Sequence, residues 1–440
     1  MARRNFAIEL RHLFFWGLFA GLVEGTVSAV VVSKTFGGGN LLITIVLSTT
    51  AFAHLSSLLW GAMLVGRRKL PVFMALAAAA VAVAFSVAFT PRSAIGGWIF
   101  AVQICLARVF MSGVVTAQAG LWRANYPKTH RGRITASLQV VRTLMSLPVI
   151  LGCGLLFDRD ASAYRWFYPA IACVGLVGLM VFRRAHVRGE SAALAKRAAG
   201  DAGADSDAAS AAPLKLLSLM SPLQVIGRMR DALRQDPRFA RYCTAQMCIG
   251  TANLMIMSVN AIVLTKLLNL SYFMSNGLLD IIPRIAMILT LPLWARLFDR
   301  VGVLRFRVVN SGCWCGSLLF CGLGAYFALA HQQSGTAALL AAAMTAYMVG
   351  RTVDGLAQSG GAIAWYIGHL HFAEDEKAEL YMGIHVSLTG FRGLLAPFVG
   401  TLLYTISGWS AFAVAFVISA VGMTIFARLA REERSTPRPP

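Results

Sequence analysis

The residues with most chemistry to offer are ionisable side chains set inside long apolar runs: Glu24, His54, Arg108, Arg142, Asp280, Arg284, Arg351, Asp354, His385 and Arg392, with polar Asn253. A charge at membrane depth costs at least about 2.5 kcal/mol, so each needs a partner, water or a ligand. Asp280 and Arg284 stand four residues apart and Arg351 and Asp354 three apart, spacings that let each pair neutralise itself on one helix. Arg142 and Arg392 have no acidic residue at helical spacing within their own runs. They are the expected binding residues for an anion, because a guanidinium stays charged and offers a bidentate fork to carboxylate or phosphate. Arg108, Arg351 and Asn253 are expected to join them, with Glu24 and His54 as proton carriers. A second reading is open, in which Arg142 and Arg392 bond helix carbonyls or Glu24 and only hold helices together.

The elements that must position these groups are membrane helices. Of 440 residues 57% are hydrophobic and 13% charged, against about a quarter charged in an ordinary soluble domain. Apolar runs of about 18 residues or more recur along the chain, long enough to cross a hydrocarbon core of about 30 Å. Spans are expected at 12–33, 41–64, 70–90, 98–121, 134–156 and 164–183, then at 242–266, 277–297, 307–330, 337–364, 382–405 and 409–427. That divides the chain into a six-helix half at 1–184, a connecting segment at 185–238 and a second six-helix half at 239–440. The connecting segment begins as a polar Ala-, Gly-, Asp- and Ser-rich linker from Glu190 to Ala212. It then turns amphipathic from Leu214 to Gln235, a pattern suited to a surface helix.

The formal charge of +21 reads as topogenic charge rather than a nucleic-acid surface. Its Lys and Arg gather in short segments such as Arg67-Arg68-Lys69, Arg123 to Arg133 and Arg296 to Arg307, all on one side of the expected spans. Both termini and the linker are therefore expected in the cytoplasm, in a multi-pass protein of a cell membrane such as the bacterial inner membrane. The acidic turn Glu374-Asp375-Glu376 departs from the pattern, but acidic residues weigh little in it. The eight cysteines lack paired metal-site spacing. His369-Leu-His371 before Glu374 reads as a solvated helix end, and neither a metal nor a cofactor is expected. No H-E-x-x-H, G-x-S-x-G or phosphate-cradling glycine loop occurs, so nothing points to an enzyme. The expected partners are a small-molecule substrate and the lipid bilayer, without nucleic acid, for a monomeric chain.

The two halves repeat. Arg108 and Trp122 recur at identical separation as Arg351 and Trp365, and Ser137, Leu138 and Arg142 recur in register as Ser387, Leu388 and Arg392. Pro148, Gly152 and Trp166 are echoed by Pro397, Gly400 and Trp409. Ala295-Arg296-Leu297-Phe298-Asp299-Arg300-Val301-Gly302 resembles the cytoplasmic loop signature of the major facilitator superfamily, while the first-half loop Gly61 to Lys69 keeps glycines and basic residues without the signature's aspartate. Arg108 followed by Gly113 resembles that superfamily's fourth-span arginine motif with one extra residue. The resemblance implies an all-α membrane protein of twelve transmembrane helices in two pseudo-symmetric six-helix bundles. It implies a secondary active transporter working by alternating access, symport or antiport, with Asp299 and Arg300 as gating residues near the N-terminus of the fifth span. The charge-free middles of spans three, six, nine and twelve then match the lipid-facing supports. The expected cargo is an organic anion or phosphorylated metabolite, coupled to protons. A non-transporting membrane sensor or assembly factor on the same fold is the alternative.

Overall fold

The computed structural model describes residues 2–64, 67–191, 222–372 and 378–435. All regular structure among them is helical. In chain order the α-helices are α1 (Ala2–Glu24), α2 (Val27–Lys34), α3 (Asn40–Phe52), α4 (Ser57–Leu64), α5 (Lys69–Phe85), α6 (Ala94–Asn125), α7 (Lys128–Arg159) and α8 (Tyr164–Phe182). After the linker come α9 (Pro222–Gln235), α10 (Pro237–Ile262), α11 (Tyr272–Asn276), α12 (Ile282–Ser334), α13 (Ala337–Ile367), α14 (Ala378–Ser407) and α15 (Ser410–Ser435). Ten helical stretches among the described residues are long and apolar enough to cross a membrane.

Three boundaries differ from the expectation, each for a local reason. The first span starts early, at Ala2, and breaks at Gly25–Thr26 between α1 and α2. The eighth and ninth spans run together through α12 and are separated by a bend at Gly302, whose φ of 74° favours glycine. The amphipathic segment is helical over Pro222–Gln235, while the polar linker and residues 214–221 lie outside the described residues, as does the acidic turn Glu374–Glu376. Two π-helical turns, Val263–Leu267 and Gly277–Ile281, flank the short α11.

The chain forms two compact units. Unit 1 holds Met1–Ser28, Ala53–Leu156 and Asp160–Arg228; unit 2 holds Ala29–Phe52, Phe157–Arg159 and Met229–Pro440. Unit 1 closes around an aromatic core in which Phe73 and Phe182 stand 4.5 Å apart and His12 lies 4.6 Å from Phe182 between ring centroids. Gly175 and Gly178 of α8 let α1 approach so closely that an added Cβ would meet Phe19 or the backbone of Trp16, the small-residue packing that lipid, itself apolar, requires between helices. At one end of this core the buried Glu9 carboxylate accepts hydrogen bonds from the Trp122 indole at 2.7 Å and the Tyr126 hydroxyl at 2.8 Å.

Unit 2 packs Phe239, Tyr242 and Phe426 in its core. It also incorporates α3 and the residues just before it: the Ser33 and Thr265 hydroxyls are 2.7 Å apart, those of Thr35 and Tyr272 2.8 Å, and those of Thr44 and Thr401 2.7 Å. Asp158 accepts from the backbone N–H groups of Tyr272 and Phe273 at 2.6 and 3.0 Å, completing the N-terminus of α11. Large apolar side chains such as Phe89, Ile95, Leu289 and Ile406 stay exposed, as expected of surfaces whose solvent is lipid.

Candidate functional site

The expected site residues fall into two clusters, one in each unit. In unit 1 the break between α1 and α2 frees backbone carbonyls, and Arg108 of α6 is buried against them. Its Nε donates to Val23 O and its Nη2 to Gly25 O, both at 2.8 Å, and Nη2 also donates to the Ser28 hydroxyl at 2.8 Å. An arginine satisfying carbonyls at an irregular helix turn is how membrane interiors accommodate such turns. Glu24, in the same break, directs its carboxylate elsewhere, to the Nη2 of Arg142 on α7. That pair is partly open to water, its side chains 32% and 19% exposed. His54, half-buried in the turn Ala53–Ser56, lies within electrostatic reach of Glu24.

Unit 2 treats its repeat arginine similarly. Arg351 of α13 donates from Nε to Leu278 O at 3.0 Å and from Nη2 to Leu279 O at 2.9 Å, carbonyls of the π-turn Gly277–Ile281. It also pairs with Asp354 at 2.8 Å, whose carboxylate accepts from Gln358 as well. Asp280 and Arg284 pair on their own helix at 3.1 Å. Both self-neutralising pairs expected from spacing are thus formed.

Arg392 of α14 is buried and donates from Nη1 to Gln246 O at 2.8 Å and from Nη2 to the Thr389 hydroxyl at 3.2 Å. A Cβ on Gly250 would fall on its guanidinium, so that glycine makes the room it occupies. Asn253 is half-buried on α10. Asp299 and Arg300 are exposed just before the Gly302 bend; the side chains around Gly132 expected to meet them lie outside the described residues.

One residue with chemical weight was not singled out from the sequence. Arg307 reads there as the last of a topogenic basic run, yet it is 1% exposed. It donates to the side-chain oxygen of Gln246 and, at 3.1 Å, to that of Asn310, with its carbon centre 4.8 Å from the Phe426 ring centroid. The available signal is that Arg307, Asn310 and Ser311 share one helical face at the opening of an apolar run. His371, considered with its neighbours as a metal site, pairs with Glu433 at 3.0 Å.

An all-helical chain with arginines and carboxylates placed inside apolar bundles has the architecture of a multi-pass membrane protein. Residues 242–440 match the Major Facilitator Superfamily profile. A solved mutant of the nucleoside transporter NupG superposes with a TM-score of 0.64 at 12% identity, covering 97% of this chain and 99% of that one. The D-xylose-proton symporter gives 0.65 at 13% identity, covering 96% of each. A POT family transporter in complex with a thioalcohol-conjugated peptide gives 0.66 at 13% identity, covering 98% of this chain and 96% of that one. No curated protein sequence matches. Residues 242–440 thus resemble that family in sequence, and the whole chain shares the fold of these solved transporters.

Proposed function

We propose that this chain is a secondary transporter that moves a small organic anion or phosphorylated metabolite by alternating access, with a proton as the coupling ion. The observation that carries the reading is the Glu24–Arg142 ion pair of unit 1, half-open to water and with His54 nearby. Arg142 remains charged under all physiological conditions, whereas a proton on Glu24 cancels the carboxylate that holds it. Protonation therefore releases a guanidinium able to bind a substrate oxyanion, and substrate loss returns it to Glu24. One residue pair thus couples two ligands through a shared partner, so that proton and anion bind together as co-transport requires.

The fold supports a transporting role without choosing the cargo, the named relatives carrying nucleosides, xylose or peptides. The test is uptake into proteoliposomes from a pool of small anions, with and without an imposed pH gradient. Wild-type protein is expected to accumulate an anion only with the gradient. Glu24→Gln is expected to keep anion exchange but lose gradient-driven accumulation. Unchanged proton dependence in Glu24→Gln would remove Glu24 from the coupling role.

A further inference from the structure

Unit 2 contains a charge imbalance that the proposed transport cycle does not use. Arg307 and Arg392 approach one residue from two sides, Arg307 bonding the side-chain oxygen of Gln246 and Arg392 its backbone oxygen. Their remaining acceptors, Asn310 and Thr389, are neutral, and Arg307 further rests on the face of Phe426. The Nε of each guanidinium is buried without an acceptor.

The described carboxylates of unit 2 that could balance them are committed elsewhere. Asp354 holds Arg351, Asp280 holds Arg284, Glu432 holds Arg241 and Glu433 holds His371. Asp236 and Asp158 accept from backbone N–H groups at helix starts, and Asp299 is exposed. Two buried cations that repel one another without a counter-ion among the described residues are a costly arrangement for a protein interior.

We infer that Arg307, Arg392 and Gln246 form an oxyanion site inside unit 2, taking one phosphate or carboxylate group. Two planar forks with spare Nε donors suit an acceptor carrying several oxygens. Gln246 and Arg392, 9% and 8% exposed, form the edge of the cluster nearest solvent, and Arg307 its floor. The anion has two sources, a free inorganic ion or the anionic end of the transported solute. Occupancy by a free ion does not depend on the transport reading, since binding can be measured without transport.

The experiment follows thermal unfolding of the purified full chain in detergent, titrated with inorganic phosphate or with acetate at constant ionic strength. A saturable rise in Tm is expected with at least one of them, because a ligand bound only to the folded state stabilises it. Arg307→Lys and Arg392→Lys should each shift the half-saturating concentration upward tenfold or more, whereas Arg241→Lys, at the exposed pair with Glu432, should leave it unchanged. Because these changes can impair folding, Gln246→Glu is the decisive variant. It places a carboxylate against the Arg307 guanidinium on the residue whose backbone Arg392 holds, so it should raise the anion-free Tm and abolish the phosphate or acetate response. If neither anion acts on the wild type but a transported anion does, and Gln246→Glu abolishes that response, the source is the solute. A rise that survives Gln246→Glu, a Gln246→Glu variant that melts below the wild type, or no response to any anion would overturn the proposal. None of these results depends on Glu24, so this proposal and the proton-coupled cycle fail separately.

Discussion

Arg142 and Arg392 occupy the same place in the internal repeat, in register after Ser137-Leu138 and Ser387-Leu388, yet their electrostatic surroundings are opposite. In unit 1 the arginine meets a carboxylate, Glu24, and the pair stays partly hydrated. In unit 2 it meets a backbone carbonyl and shares Gln246 with a second arginine, deep in the helix bundle. Arg108 and Arg351 differ less: each satisfies carbonyls at an irregular turn, and Arg351 also pairs with a buried acid, Asp354. The repeat preserves the position of a cation, while its partner arrives from another helix whose sequence is not in register. Equivalent positions can therefore serve different chemistry.

The largest expected effect tests the second pair. Arg351→Met strands Asp354 as a buried unpaired charge and should cost about 3–5 kcal/mol of stability. Arg108→Met leaves the Val23 and Gly25 carbonyls and the Ser28 hydroxyl without that donor and should cost about 1–3 kcal/mol. Thermal melts of the two variants compare them directly, and equal losses would erase the distinction between the units.

A smaller effect separates binding from structure at Arg142 and Arg392. Lysine keeps the charge and loses the fork, so each single substitution should weaken anion binding about tenfold, or about 1.4 kcal/mol. In each variant the loss should fall on affinity rather than on melting temperature. Additive losses of melting temperature with unchanged affinity would instead make both residues structural.

The smallest effect concerns Asp158, which completes the start of α11. Asp158→Asn removes the charge but keeps one oxygen, so a loss of about 1 kcal/mol or less is expected. Cysteine labelling at Asn269 should become faster as the segment loosens. Labelling indistinguishable from the wild-type background would show that the hydroxyl contacts of Ser33, Thr35 and Thr44 suffice.

Much of this protein is legible without coordinates, because lipid imposes severe rules on a sequence. Apolar runs of spanning length fix the helices, basic loops argue topology, and the recurrence of Arg108 with Trp122 as Arg351 with Trp365 exposes the repeat. The self-paired Asp280–Arg284 and Arg351–Asp354 follow from spacing along one helix, where geometry is known in advance. Partners that come from different helices were legible only as open alternatives, the Glu24–Arg142 pair among them. That Glu24 turns to Arg142 while Arg108 takes the carbonyls beside it depends on how the α1–α2 break aims each group. That Arg307 is buried depends on the approach of α10 and α15, which converts an apparent loop charge into a core residue. Sequence periodicity determines which face of a helix a side chain leaves from; only the packing of the bundle decides what stands opposite, and an ion pair is a property of both.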